Sequence, residues 1–147
     1  MNKKNIARVA LAVIAVILVL ALLIQLIPYG RNHTNPAVIA EPKWDSPKTK
    51  ELAQRACYDC HSNETAWPWY TNIAPFSWLV QNDVDEGRRA LNFSEWDRPQ
   101  RRVDEASRIV LEGEMPPGIY LLMHPSARLS PAEVNQLAQG LVNTIGR

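Results

Sequence analysis

Two thiols and an imidazole stand together in the run Cys57-Tyr58-Asp59-Cys60-His61. Thiols three residues apart can add to two vinyl groups on one edge of a flat macrocycle, and a histidine directly after the second can bring its imidazole to a central iron. The chemistry implied is covalent attachment of one haem c, with Cys57 and Cys60 as thioether anchors and His61 as the proximal iron ligand. At the end of a helix, offsets of three and four residues put all three side chains on one face. The chain has no other cysteine. A disulfide, a thiol redox pair or half of a zinc site would use the same residues. A thioredoxin-like pair calls for a βαβ setting, which the hydropathy pattern lacks. A zinc site needs two more ligands from a chain whose other histidines are His33 and His124.

A sixth ligand has three candidates in the connection before the last helix: Met115, Met123 and His124. Met115 lies in Gly113-Glu114-Met115-Pro116-Pro117, where a thioether is a soft ligand favouring ferrous iron and prolines stiffen the backbone without adding donors. Met115 is therefore the first choice. His124 would instead make a bis-histidine iron of lower potential. Met123 reads as a gap-filling core residue, and His33 as a solvated residue. Trp67, Pro68, Trp69, Tyr70, Phe76 and Trp78 are dense enough in aromatics to wall a cofactor pocket or to make a plain core. Arg88, Arg89, Arg98, Arg101 and Arg102 read as a solvated face, one of which could pair with a haem propionate. Asn92-Phe93-Ser94-Glu95-Trp96 is distinctive but yields no chemistry by itself.

The elements that must position these residues are helical. Ser46 can cap a helix that begins at Pro47 and runs through Leu52, Ala53 and Ala56 to the cysteines. A second follows Pro75 toward Gly87. A third has Pro99 near its start, Val103, Ala106, Ile109 and Val110 on one face, and Gly113 as a left-handed stop. The fourth opens with the capping box Ser130-Pro131-Ala132-Glu133, and its apolar residues from Val134 to Ile145 recur at helical spacing. Residues 63–74 and 114–129 are long connections, of the kind a small domain keeps for function.

Val9 to Ile27 is apolar apart from Gln25 and reaches about 28 Å as a helix, enough to cross a bilayer core. Its length and its Leu26-Ile27-Pro28-Tyr29 close favour an uncleaved anchor over a secretory signal. Lys3, Lys4 and Arg8 precede it, which predicts a cytoplasmic N-terminus and an exported domain. Without those three, 13 basic residues face 15 acidic ones, a formal charge of −2, and nothing points to nucleic acid. The expected division is an anchor over 1–28, a proline-containing linker over 29–43 and a helical domain over 44–147. The fold class is mostly α: an N-terminal transmembrane helix plus a small cytochrome c-like haem domain.

Residues 44–147 resemble the bacterial haem-binding domain family that carries a single Cys-x-x-Cys-His motif. The resemblance rests on Cys57-Tyr58-Asp59-Cys60-His61-Ser62-Asn63, Trp67-Pro68-Trp69-Tyr70, Ile73-Ala74-Pro75, Leu91-Asn92-Phe93-Ser94, Gly113-Glu114-Met115-Pro116, His124 and Leu129-Ser130. It implies covalent haem, electron transfer and a place outside the cytoplasm. The stretch from Met115 is also similar to the end of class I cytochromes c, where a Met-Pro before the closing helix supplies the distal ligand. The expected protein is a single-haem electron carrier on the bacterial inner membrane, not an enzyme, serving membrane redox enzymes or other cytochromes. A haem-based gas or redox sensor, a small peroxidase and a haem subunit of a respiratory complex are the alternatives.

Overall fold

The computed structural model describes residues 2–145. Met1, Gly146 and Arg147, the outer ends of the expected anchor and domain, lie outside the described residues. The protein is mostly α. Among the described residues there is no strand, only an isolated bridge between Ala40 and Glu95. The helices are α1 (Lys3–Leu23), α2 (Pro47–Ala56), α3 (Tyr58–His61), α4 (Phe76–Ala90), α5 (Ala106–Leu111), α6 (Gly118–Met123) and α7 (Pro131–Ile145).

Two compact units do not follow chain order. One runs to His33 and takes in Trp67–Asn82; the other takes Thr34–Ala66 and the chain from Asp83 onward. In the first, α1 continues through a 3-10 turn, and Lys3–Leu26 is 24 residues long and apolar enough to cross a membrane. No residue of α1 is buried. Its outer end is tied by Gln25, whose amide donates to the Ala74 carbonyl at 2.9 Å and accepts from the Ala74 amide at 3.0 Å. His33 is half-buried rather than solvated. It stacks on Trp67 with ring centroids 4.8 Å apart, and its Nε2 lies 3.0 Å from Thr71 Oγ1.

The second unit holds the hydrophobic core, built from Leu52, Ala53, Tyr58, Leu91, Phe93, Val110, Leu137, Ala138 and Leu141. Ser46 Oγ accepts from the Thr49 amide at 3.1 Å and starts α2 where the sequence predicts. The Ser130–Glu133 capping box forms reciprocally, at 2.8 and 3.3 Å, and starts α7. Glu133 also pairs with Arg55 of α2 at 2.6 Å. The Ser130 backbone and side chain and the Arg55 guanidinium hold its carboxyl down at about 2. α2 and α5 both pack on α7. Gly140 permits the α2 approach, because a Cβ there would strike the buried Thr49 side chain.

The third predicted helix starts later than Pro99. Residues 99–100 are irregular, 101–102 form a turn, Val103–Glu105 is a 3-10 turn, and α5 begins only at Ala106. Asn92 and Gln100 explain the delay: the Gln100 side chain accepts from the Asn92 amide and donates to the Glu95 and Arg98 carbonyls, which fastens this stretch as a loop. Gly113 does end the helix in the left-handed region, at φ 73°. The connection after it is not wholly irregular, since it contains α6 and a 3-10 turn at Pro125–Ala127.

Candidate functional site

The cysteine motif does not continue one helix. Cys57 leaves helical geometry, with φ −127° and ψ −32°, and closes α2; Tyr58–His61 then forms a separate turn, α3. The Cys57 carbonyl accepts from the amides of Cys60 and His61 at 3.2 and 2.9 Å, so both thiols and the imidazole belong to one rigid loop of backbone. Neither thiol is in a disulfide. Burial pushes both thiols up to about 12, with Asp83 and Asp59 adding to the effect at Cys60, so both keep their proton at neutral pH.

His61 Nδ1 lies 3.0 Å from the Leu91 carbonyl. A carbonyl can only accept, so Nδ1 carries the hydrogen and Nε2 keeps its lone pair in the neutral ring. Burial pushes the imidazole below its ordinary range and outweighs the opposing pull of the Leu91 and Gly87 carbonyls. A neutral ring with one nitrogen fixed by a backbone carbonyl is the usual state of a metal-ligating histidine.

These residues line a cavity of about 390 Å³, within the roughly 300 to 1,000 Å³ typical of cofactor sites. Cys57, Cys60, His61 and Gly87 form one side. Leu91, Phe93, Ile109, Val110 and Leu141 supply apolar lining, and Met115, Pro116, Pro117 and Tyr120 complete it. Met115 is thus brought to the same cavity as the motif. His124 and Met123 are not among its lining residues. His124 stacks on Tyr120 with centroids 4.0 Å apart, and Met123 is exposed rather than a core residue. Trp67, Pro68, Trp69, Tyr70, Phe76 and Trp78 are not the cavity wall. They belong to the other compact unit, and Phe93 and Tyr120 are the lining aromatics in their place.

The Asn92–Trp96 segment has a structural purpose that its composition alone concealed. Asn92 Nδ2 donates to Asn63 Oδ1 at 2.9 Å, Ser94 Oγ accepts from the Asn63 amide at 2.9 Å, and the Phe93 amide donates to the His61 carbonyl at 2.8 Å. Asn63, Asn92 and Ser94 are all buried. Each such group would cost about 1 to 3 kcal/mol if left without a partner, so the network fixes one position for the chain just after His61. Phe93 anchors it apolarly, stacked between Tyr58 and Trp96 at 5.7 and 6.0 Å.

Arg88 and Arg98 are not a solvated face. Arg88 is half-buried, and its guanidinium donates to Ser62 O, Thr34 O, Asn35 Oδ1 and Thr65 Oγ1 at 2.8 to 3.0 Å. Arg98 donates to Glu95 and to the Arg88 carbonyl. Arg89, Arg101 and Arg102 are exposed and line the cavity. Tyr120 donates to Asp59 Oδ2 at 2.6 Å, a link between the motif and α6 that no local spacing signals.

Gly87 of α4 packs directly against the motif. A Cβ there would run into the carbonyl of Cys60. Alanine's better helix propensity returns about 1 kcal/mol, against a cost of roughly 1 to 3 kcal/mol for forcing packed backbone apart. Gly87→Ala is expected to lower the denaturation midpoint and the share of chains that acquire cofactor. An unchanged midpoint would show that α4 can shift without loss.

A family model described as a haem-binding domain matches residues 19–143, which includes every residue of this cavity. No curated protein and no solved structure matches.

Proposed function

The chain belongs to the haem-binding domain family, and from that membership we propose that it is a membrane-anchored, mono-haem c-type cytochrome that carries electrons. The observation that carries this reading is the cavity that holds Cys57, Cys60 and His61 together with Met115. The residues fit the group. They offer two free thiols, a neutral imidazole of fixed tautomer, a thioether and an apolar lining, and among the described residues no group of three or more His, Cys, Asp or Glu is placed to hold a bare metal ion.

In this reading Cys57 and Cys60 would hold the haem covalently through their Sγ atoms, as two thioether links. His61 would offer Nε2 to the iron, with the Leu91 carbonyl holding its ring in place. Met115 would offer its thioether to the iron from the same cavity, a soft donor that would favour the reduced state. The bound haem provides a one-electron couple; the apolar lining keeps water from it. α1 crosses the inner membrane with its N-terminus cytoplasmic, a direction supported by Lys3, Lys4 and Arg8. The carrier serves membrane redox enzymes or other cytochromes. Tethering raises local concentration, so each docking contact can stay weak and brief. It turns over no substrate.

The test is the absorption spectrum of the purified full chain, reduced, with and without carbon monoxide. The expected result is one haem that survives denaturation and a six-coordinate low-spin ferrous iron that ignores carbon monoxide. Rapid carbon monoxide binding would replace the carrier by a sensor or small peroxidase.

A further inference from the structure

Residues 9–30 and 67–82 contain no Asp, Glu, Lys or Arg, in a chain that is 21% charged. The two stretches are fastened to each other within one compact unit. Gln25, the polar residue at the outer end of the apolar helix, spends its whole amide on this joint. It donates to Ala21 O and Ala74 O and accepts from the Ala74 amide and from Arg31. An amide near hydrocarbon needs such partners, because each unmet polar group there costs several kcal/mol. Gly30 makes a second joint, lying so close to the Ser77 carbonyl that no Cβ would fit.

The consequence is a fixed depth. Ala74 is bonded to Gln25, just past the last turn of α1, and Ser77 is held against Gly30. Trp69 is 74% exposed and Phe76 54%, with Ile73 and Leu79 also exposed. Bulky apolar side chains at the end of a span, with an amphipathic tryptophan among them, no charged residue within 67–82 and one arginine, Arg31, at the Gln25 joint, match the composition of a membrane interface.

We infer that residues 67–82 form a second membrane contact, with Trp69, Ile73, Phe76 and Leu79 seated at the headgroup–acyl boundary of the bilayer that α1 crosses. This rests on the spanning role of α1. The occupant is lipid because the patch is continuous with the lipid-facing helix through Gln25 and Ala74. A flexible tether would leave this stretch in water, whereas two contacts restrict the tilt of the unit that carries them.

The experiment is photolabelling of the haem-loaded full chain in phosphatidylcholine vesicles. The vesicles are doped with a phosphatidylcholine that carries a diazirine on its acyl chain close to the ester, and labelled peptides are identified by mass spectrometry. Label in both α1 and residues 67–82 is expected. Label in α1 alone overturns the second contact, leaves the span intact and assigns the patch to a protein partner. Label in neither removes the span and the inference together. Trp69→Glu, a change at an exposed side chain, is expected to lose the 67–82 label while the α1 label persists, and equal labelling of this variant would overturn the inference.

Discussion

The Cys57→Ala/Cys60→Ala chain is expected to release all of its haem on denaturation, where the parent chain is expected to keep it through a denaturing gel. The effect should be complete, because the chain has no third thiol to form a thioether. The geometry also predicts how the single variants differ from the double one. Cys57 and Cys60 flank one short turn whose amides share the Cys57 carbonyl, so either thiol alone leaves the macrocycle tied at one point and the other vinyl unsaturated. An unsaturated vinyl extends the conjugation, so each single variant should retain haem on the gel with reduced bands moved to longer wavelength. In the double variant His61 and the apolar cavity remain, and some haem should still bind to the folded protein without surviving denaturation. Haem stain persisting in the double variant would mean that attachment runs through other residues.

Much of this arrangement could be read from local signals. Ser46, the Ser130–Glu133 box and Gly113 each act on the chain within a few residues, and all three sit where their chemistry predicts. The cysteine motif is equally local. What spacing could not supply was pairing across distance. Asn63 meets Asn92 and Ser94 some 30 positions away, and Tyr120 meets Asp59 across 61. Asparagine, serine and arginine are common surface residues, so a half-buried Arg88 spanning four acceptors looks in sequence like any solvated cation. The aromatic cluster misled for a related reason. Density of Trp and Tyr signals a large apolar–polar surface but not what lies against it. In this chain it lies with the end of α1, and Phe93, inside a segment with no evident chemistry, took the place beside His61.

Met115→Ala is expected to open the iron to carbon monoxide and to remove the near-infrared magnetic circular dichroism band of a thioether ligand, while His124→Ala leaves both unchanged. The two candidates differ in what holds them. His124 Nδ1 lies 3.1 Å from the Tyr120 carbonyl, and its ring stacks on the Tyr120 ring, so it is engaged on α6 and is not among the residues that line the cavity. Met115 lines the cavity, between the left-handed Gly113 and the two prolines that precede α6. The Tyr120–Asp59 hydrogen bond then ties α6 back to the motif. A hydrogen bond to a carboxylate is worth about 1.5 to 3 kcal/mol, which favours α6 held against the motif. Loss of the thioether also withdraws the donor that favours ferrous iron, so the reduction potential of Met115→Ala should fall below that of the parent. Met115→His, which keeps six coordination with a harder donor, should lower the potential as well yet stay closed to carbon monoxide. That pair of readouts separates a ligand from a residue that merely shields the cavity: a shielding Met115 would let carbon monoxide in when cut to alanine without any loss of the thioether band.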